Sequence, residues 1–202
     1  MNYPQTIRNL IESYKKLPGI GEKTAERYAL ATINLDEDTL NLFSNSLKDV
    51  KIKIKKCKKC NNLSEDELCE ICKDKKRNKK ILCVVEEAKN VILFEKIGIY
   101  DGLYFVLEGL ISPLEGIDPE KIKIAQLLER IKEEKIEEVI IAVKPSIEGE
   151  TTALYITRML KDSKVKVSKI AHGVPLGAEM EYLDSMTLEI ALENRNIISK
   201  SE

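Results

Sequence analysis

This sequence is poor in the residues that most catalytic, membrane and base-stacking chemistry requires. Histidine occurs once in 202 residues, as His172, and no Ser/His/Asp or Cys/His set can be assembled around it. Standing before Gly173-Val174-Pro175, it reads as a hydrogen-bonded turn residue rather than a catalyst. Aromatic residues make up 5% of the chain and tryptophan is absent, which removes the stacking platform of a base-reading single-strand binder. No stretch approaches the roughly 20 apolar residues of a membrane-spanning helix. The N-terminus carries no apolar signal segment, because Met1 to Gln5 run straight into an amphipathic pattern; a cytoplasmic, thiol-preserving setting is expected. The loop Gly173 to Gly177 lacks the G-K-[ST] ending of a phosphate cradle, so no ATPase is expected. What remains, 43% hydrophobic and 33% charged, is ordinary for one large or two modest folded domains.

Cysteine is also scarce, yet four of the five are spaced as Cys57, Cys60, Cys69 and Cys72, a C-x2-C-x8-C-x2-C array. Each C-x-x-C knuckle turns tightly enough to aim two thiolates at one point, and two knuckles complete a closed tetrahedral zinc shell. A closed shell leaves no position for water, so one structural zinc per chain is expected rather than Lewis-acid catalysis. In isolated zinc modules the metal contributes about 10–16 kcal/mol of apparent binding energy that doubles as folding energy. The fifth cysteine, Cys83, sits between Leu82 and Val84 and reads as a buried strand residue.

The net charge of −1 conceals an asymmetry. Residues 1–80 hold 18 Lys and Arg against 12 Asp and Glu, leaving 15 against 22 for the remainder, or +6 and −7. This predicts a nucleic-acid-facing N-terminal part. Within it, Ile7, Leu10, Ile11 and Tyr14 recur at helical spacing from Pro4 to Lys16, and a second helix resumes from Glu22 to Ile33 with Ala25, Tyr28, Ala29 and Ala31 as packing residues. Between them Leu17-Pro18-Gly19-Ile20-Gly21 makes a helix-hairpin-helix. Gly19 and Gly21 allow a sharp turn that brings unpaired helix amides close to a phosphate. Lys23 and Arg27, one helical turn apart, extend that DNA-binding face without reading bases. A third helix is predicted from Asp38 to about Val50, striped by Leu40, Phe43, Leu47 and Val50 and packed under the hairpin. Lysine-rich runs at 51–56 and 73–80 flank the cysteines and form a basic patch in the expected zinc-bound loop.

From Ile81 the pattern changes to a continuous apolar run at 81–85 and further β-rich runs at 104–107, 139–143 and 165–170, separated by helical segments Ala88 to Ile97, Pro119 to Lys135 and Gly149 to Lys161. This predicts an α/β domain with a mostly parallel sheet, whose functional groups gather at the carboxyl ends of the strands. Those ends hold Glu86 and the Lys144 to Glu150 segment. A terminal helix is predicted from Ser185 to Arg195, closing the domain or exchanging with a neighbouring subunit.

The order of L-P-G-I-G hairpin, four-cysteine array, V-V-E strand end, E-G-E segment and H-G-V-P-L-G tail resembles the RecR family of bacterial recombination mediators along essentially the whole chain. The resemblance implies a helix-hairpin-helix domain at 1–53, a zinc finger at 54–79, a Toprim domain at 80–176 and a C-terminal tail at 177–202 serving oligomerisation. It also implies a non-catalytic role in DNA repair, RecO and RecF as partners, a nucleoid-associated location, and assembly as a dimer or a tetrameric ring-shaped clamp on single-stranded, duplex or gapped DNA. The clamp would help load the strand-exchange recombinase. Toprim enzymes hold magnesium with a glutamate and a D-x-D pair, in a pattern D-P-D-x-E-G-E. The matching stretch here is Lys144-Pro145-Ser146-Ile147-Glu148-Gly149-Glu150, so both aspartate positions carry other residues, and Lys144 departs even from the asparagine frequent in the family. A cation at a ligand position repels a divalent ion. Glu86, Glu148 and Glu150 are then expected to dock a basic partner. The competing expectation is that the two helix-start glutamates serve only the helix dipole, or that all three form the reduced acidic site of a magnesium-dependent enzyme.

Overall fold

The computed structural model describes residues 3–171 and 173–196. His172 lies outside them. The chain divides into two units, Met1–Ile54 and Lys55–Glu202.

The first unit is all-helical: α1 (Gln5–Lys15), α2 (Glu22–Ile33) and α3 (Glu37–Lys53). Ile11 of α1 is buried against Ala25 and Ala29 of α2, with Ile7, Leu10, Tyr14 and Ile20 packed around them. The two alanines present no bulk, so the helices can approach closely, and Ile20 from the turn plugs the gap. Lys15 clamps the hairpin through Glu22 at 2.7 Å. Ala31, expected to pack, is exposed instead, because this core takes in one face of α2; Tyr28 lies at its margin, partly exposed but with its ring edge-on to Tyr14 at 5.7 Å. The third helix is a larger departure. It is well capped, Asp36 accepting from the Thr39 amide, but none of its residues is buried; Leu47 is 59% and Val50 64% exposed. The stripe predicted to pack under the hairpin faces outward, since the three-residue connection Asn34–Asp36 leads into a helix that adds nothing to the small α1–α2 core.

The second unit begins with a short antiparallel hairpin, β1 (Lys55–Lys56) and β2 (Leu63–Ser64), and one helical turn, α4 (Glu70–Lys73). It continues as β3 (Asn78–Val85), α5 (Ala88–Ile97), β4 (Gly102–Val106), α6 (Ile124–Glu133), β5 (Glu138–Ala142), α7 (Ile147–Met159), β6 (Lys166–Lys169) and α8 (Ser185–Glu193). The sheet order is β4-β3-β5-β6 and every pairing is parallel. Strand alternation divides its side chains between two faces. Leu82, Val84, Leu103, Phe105, Val139 and Ile141 pack with Leu127 of α6 and Ile156 of α7. Cys83, Val85, Tyr104, Val106 and Ala142 pack with Val91 and Phe94 of α5. Both faces are covered over β3, β4 and β5, which is why these strands carry apolar residues on both sides, whereas edge strand β6, Lys-Val-Ser-Lys, buries none of its residues. Each fully buried large side chain, such as Phe105, Leu127 or Ile156, contributes about 1.5–3 kcal/mol. Burial also pushes the Cys83 thiol up to about 12, leaving it the inert core residue expected.

The helix predicted from Pro119 to Lys135 is split. A 3-10 turn at Pro119–Lys121 precedes an extended Ile122 whose side chain is buried in the core, and α6 starts at Ile124. The amide of Lys123 bonds the Leu107 carbonyl at 3.1 Å, tying the break to the end of β4. At the other end, α8 buries none of its residues, so it does not close the domain core.

Candidate nucleic-acid interface, thiol cluster and acidic sheet end

In the helical hairpin Gly19 has φ +80°, a conformation that L side chains rarely adopt, and the Ile20 amide turns back to the Leu17 carbonyl at 3.2 Å. Gly21 is different. Its φ is an ordinary −85°, and a Cβ there would meet nothing within 4 Å, so the fold itself does not demand a glycine. It caps α2 without any side-chain hydrogen bond, leaving the first amides of the helix without a side-chain acceptor. Lys23 and Arg27 are both exposed on α2, and the Arg27 guanidinium lies 5.4 Å from the centre of the Tyr28 ring, which restricts its orientation. Lys23 has no carboxylate partner among the described residues.

The four cysteine thiols of the array converge: their sulfurs all lie within 4.8 Å of one another, three of the residues buried and Cys72 half-buried. Cys60 Sγ and Cys69 Sγ are 3.5 Å apart. All four are free thiols, and a tetrahedral zinc with ligands at about 2.3 Å sets sulfurs roughly 3.8 Å apart. The donor set therefore fits zinc. Local structure explains the convergence. Asn61, at φ 59°, turns the chain after the first knuckle, and the Cys57 amide bonds the Asn62 carbonyl at 2.8 Å. Cys69 caps α4, so the one helical turn carries Cys72 back beside it.

This loop is fastened to the α/β sheet by residues that spacing alone did not single out. The Val106 amide, at the end of edge strand β4, donates to the Cys60 carbonyl at 2.8 Å. Asn61 Nδ2 donates to the Val106 carbonyl at 3.2 Å and to Gln126 Oε1 at 3.0 Å, while Gln126 Nε2 returns to the Lys58 carbonyl at 3.1 Å. Ile71 packs against the thiol cluster and against both sheet cores. Arg130 stands on the buried side of α6 with Ile124, Leu127 and Ile131, and a cation inside that apolar stripe was the available sequence signal.

The lysine runs are less free than their composition implies. Lys56 pairs with Glu108, Lys58 with Glu67, Lys59 with Glu134, Lys73 with Asp66 and Glu70, Arg77 with Glu95, and Lys80 with Glu137. Arg77 holds the Glu95 carboxyl below its ordinary range, and the pair, with Tyr104 bonded to Glu95 at 2.8 Å, anchors the segment before β3. In the second unit, Lys75, Lys76 and Lys79 are exposed and have no carboxylate partner among the described residues, while the exposed Lys55 lies near enough to Asp66 and Glu67 to add to Lys73 and Lys58 in holding their carboxyls below the ordinary range. The patch is therefore smaller than the lysine count predicts.

At the carboxyl ends of the strands, connections leave β3 and β5 toward opposite edges of the sheet, placing Glu86 and Lys144 at the switch point. Lys144 Nζ lies 3.7 Å from Glu86 Oε1. Lys169 holds Glu150 at 2.9 Å, and Ser146 Oγ donates to Glu148 at 2.7 Å, lowering that carboxyl's pKa. Glu148 and Glu150 lie in the first turn of α7, where the helix dipole favours them. Gly149 is dictated by packing, because a Cβ would stand 2.0 Å from the Lys144 carbonyl oxygen. A further carboxylate, Glu108, sits at this end in a left-handed conformation (φ 65°), its amide on the Glu86 carbonyl at 3.0 Å and its Oε1 2.6 Å from Lys56 Nζ. Among the described residues the four cysteines are the one set of three or more potential ligands drawn together as for a metal; Glu86, Glu148 and Glu150 are not.

Comparison with known proteins covers nearly every part of this architecture. Family models for the RecR helix-hairpin-helix, the RecR four-cysteine zinc finger domain, the Toprim domain and the RecR C-terminal region match residues 7–51, 54–74, 80–171 and 173–196. The recombination protein RecR of Enterococcus faecalis is 48% identical over 198 residues, 98% of this chain and 100% of that protein. With the zinc-finger match and the converged thiols together, the cysteine cluster is a binding site for one structural zinc.

Proposed function

The chain belongs to the RecR family of recombination proteins, and from that premise we propose that it is a non-catalytic, DNA-binding mediator that grips sugar-phosphate backbone through its helical hairpin. Its work lies in DNA recombination and repair. The observation that carries the DNA reading is the pairing of Gly21 with Lys23 and Arg27. A glycine that the fold does not need opens the helix start to close backbone approach, and two exposed cations stand one turn beyond it. The finer roles follow the family. The protein serves the RecF/RecO pathway as a dimeric or tetrameric clamp that helps load a recombinase on single-stranded or gapped DNA in the cytoplasm. Glu86, Glu148 and Glu150 dock a basic partner such as RecO. The exposed apolar residues of α8, Met186 and Leu192, support a role for the tail in assembly.

The test is DNA affinity measured by fluorescence anisotropy across a salt series. Replacing Lys23 and Arg27 together by alanine should weaken binding and flatten the salt dependence by about one to two units of slope, since each duplex phosphate contact contributes roughly 0.9. Unchanged affinity and slope would reject the assignment. The mediator role also requires that supercoiled and single-stranded DNA stay intact with magnesium or manganese. Divalent-dependent nicking that disappears in Glu86→Gln would establish an enzyme instead.

A further inference from the structure

The guanidinium of Arg130 is almost wholly enclosed, the residue being 5% exposed. Its donors fan out in three directions. Nε reaches Glu134 Oε2 at 2.9 Å, Nη1 the Tyr104 carbonyl at 2.8 Å, and Nη2 the sulfur of Cys72 at 3.9 Å, a contact that the larger radius of sulfur permits. Glu134 does not neutralise Arg130 alone, because it is shared with Lys59 at 2.7 Å. Lys59 is half exposed and keeps its hydration, but the buried Arg130 guanidinium must share its one carboxylate, so its charge is incompletely neutralised within the protein unless another anion lies beside it. Four thiolates on one divalent zinc carry a formal charge of −2, and they lie on the other side of Nη2.

The same contacts close an open edge. Strand β4 ends the sheet, and its residues 104 and 106 present their backbone groups on one side. There the Tyr104 carbonyl is taken by Arg130, the Val106 amide by the Cys60 carbonyl, and the Val106 carbonyl by Asn61. Edge groups that an adjacent strand would otherwise satisfy are satisfied by a zinc ligand's backbone, by the residue following it, and by the arginine beside another ligand.

We propose that Arg130 is an outer-shell residue of the zinc centre, supplying its counter-charge, and that with the Cys60–Asn61 knuckle it makes zinc occupancy set the stability of the β4 edge. Arg130 acts here as a positioning residue. The zinc module is thereby a brace on the α/β sheet as well as a self-contained loop.

The first test needs no variant. Zinc is stripped from the full-length protein with a chelator and amide hydrogen exchange is followed peptide by peptide. Peptides covering Gly102–Leu107 should exchange at least tenfold faster, while those covering Glu138–Ala142 keep their protection. Unchanged exchange in β4, or equal loss through β5, overturns the proposal. The second test compares Arg130→Met with Arg130→Lys. Outer-shell changes typically cost about 10–100-fold in metal affinity, so Arg130→Met should release zinc to a chromophoric chelator at least tenfold faster, with Arg130→Lys between it and the wild type. In Co2+-substituted protein the sulfur-to-cobalt charge-transfer band should move to lower energy in Arg130→Met, because a donor that stabilises the Cys72 lone pair is gone; a purely structural arginine would not move it. A folded Arg130→Met with unaltered release and an unaltered band refutes the role. If that variant does not fold, the wild-type exchange result decides.

Discussion

Single residues differ in how openly they announce their reason for being there. Gly19, Gly21 and Gly149 all look like turn or motif glycines, yet each answers to a different constraint: a left-handed backbone at Gly19, packing against a carbonyl at Gly149, and no internal demand at Gly21. A prediction separates the hairpin pair. Gly19→Ala should destabilise the protein by about 1–2 kcal/mol from its backbone conformation, and Gly21→Ala by less than about 1 kcal/mol as an altered cap. Gly21→Ala should nonetheless lose DNA affinity, because the new methyl group points into the open space that a phosphate would approach. Urea denaturation and anisotropy titration of the two variants check this, and a Gly21→Ala protein that binds normally contradicts it. The cysteines were legible because their chemistry is encoded in spacing along the chain. Arg130 and Gln126 were not, since their relevance depends on neighbours some 58 and 68 positions away in sequence. Glu108 escaped notice for the same reason, its partner Lys56 lying on the other side of the zinc loop.

At the scale of elements, periodicity located α2 and α5 at their observed limits and found every strand of the parallel sheet. It failed where an element's partner was assumed. The apolar stripe of α3 is real, but amphipathicity says only that a face wants cover and not that this unit supplies it. The long helix before β5 was broken by Ile122, whose burial outweighed local helical preference. The zinc loop is the element whose stability is most concentrated in one interaction. One zinc per chain should be found by elemental analysis, and Cys57→Ser or chelation should remove it. Even a loss of about 4 kcal/mol, well below the full metal contribution, would lower the melting temperature of a chain this size by roughly 8–16 °C. A metal-free protein that melts with the native form would contradict the structural role.

For the molecule as a whole, the outstanding feature is how much apolar surface faces outward at its two ends in sequence: Leu42, Leu47, Val50 and Ile52 on α3, and Leu176, Met180, Tyr182 and Met186 from the tail through the start of α8. Burying such surface between copies would recover the transfer free energy that neither unit collects internally. Light scattering at micromolar concentration should therefore give a multiple of the 22.9 kDa chain mass, with polar substitutions at Leu47 and Val50 shifting it downward; a monomer throughout would remove the basis for a clamp. By itself the sequence determined the order of modules, the metal ligands, the parallel α/β sheet and the cationic hairpin, because each is written in short-range spacing or periodicity. Only the tertiary structure decided which lysines are already paired, which glycines the fold requires, which helix faces go uncovered, and that the thiol loop is fastened to the sheet edge. Those depend on distances between residues far apart in the chain, and a contact of that kind leaves no period for the sequence to display.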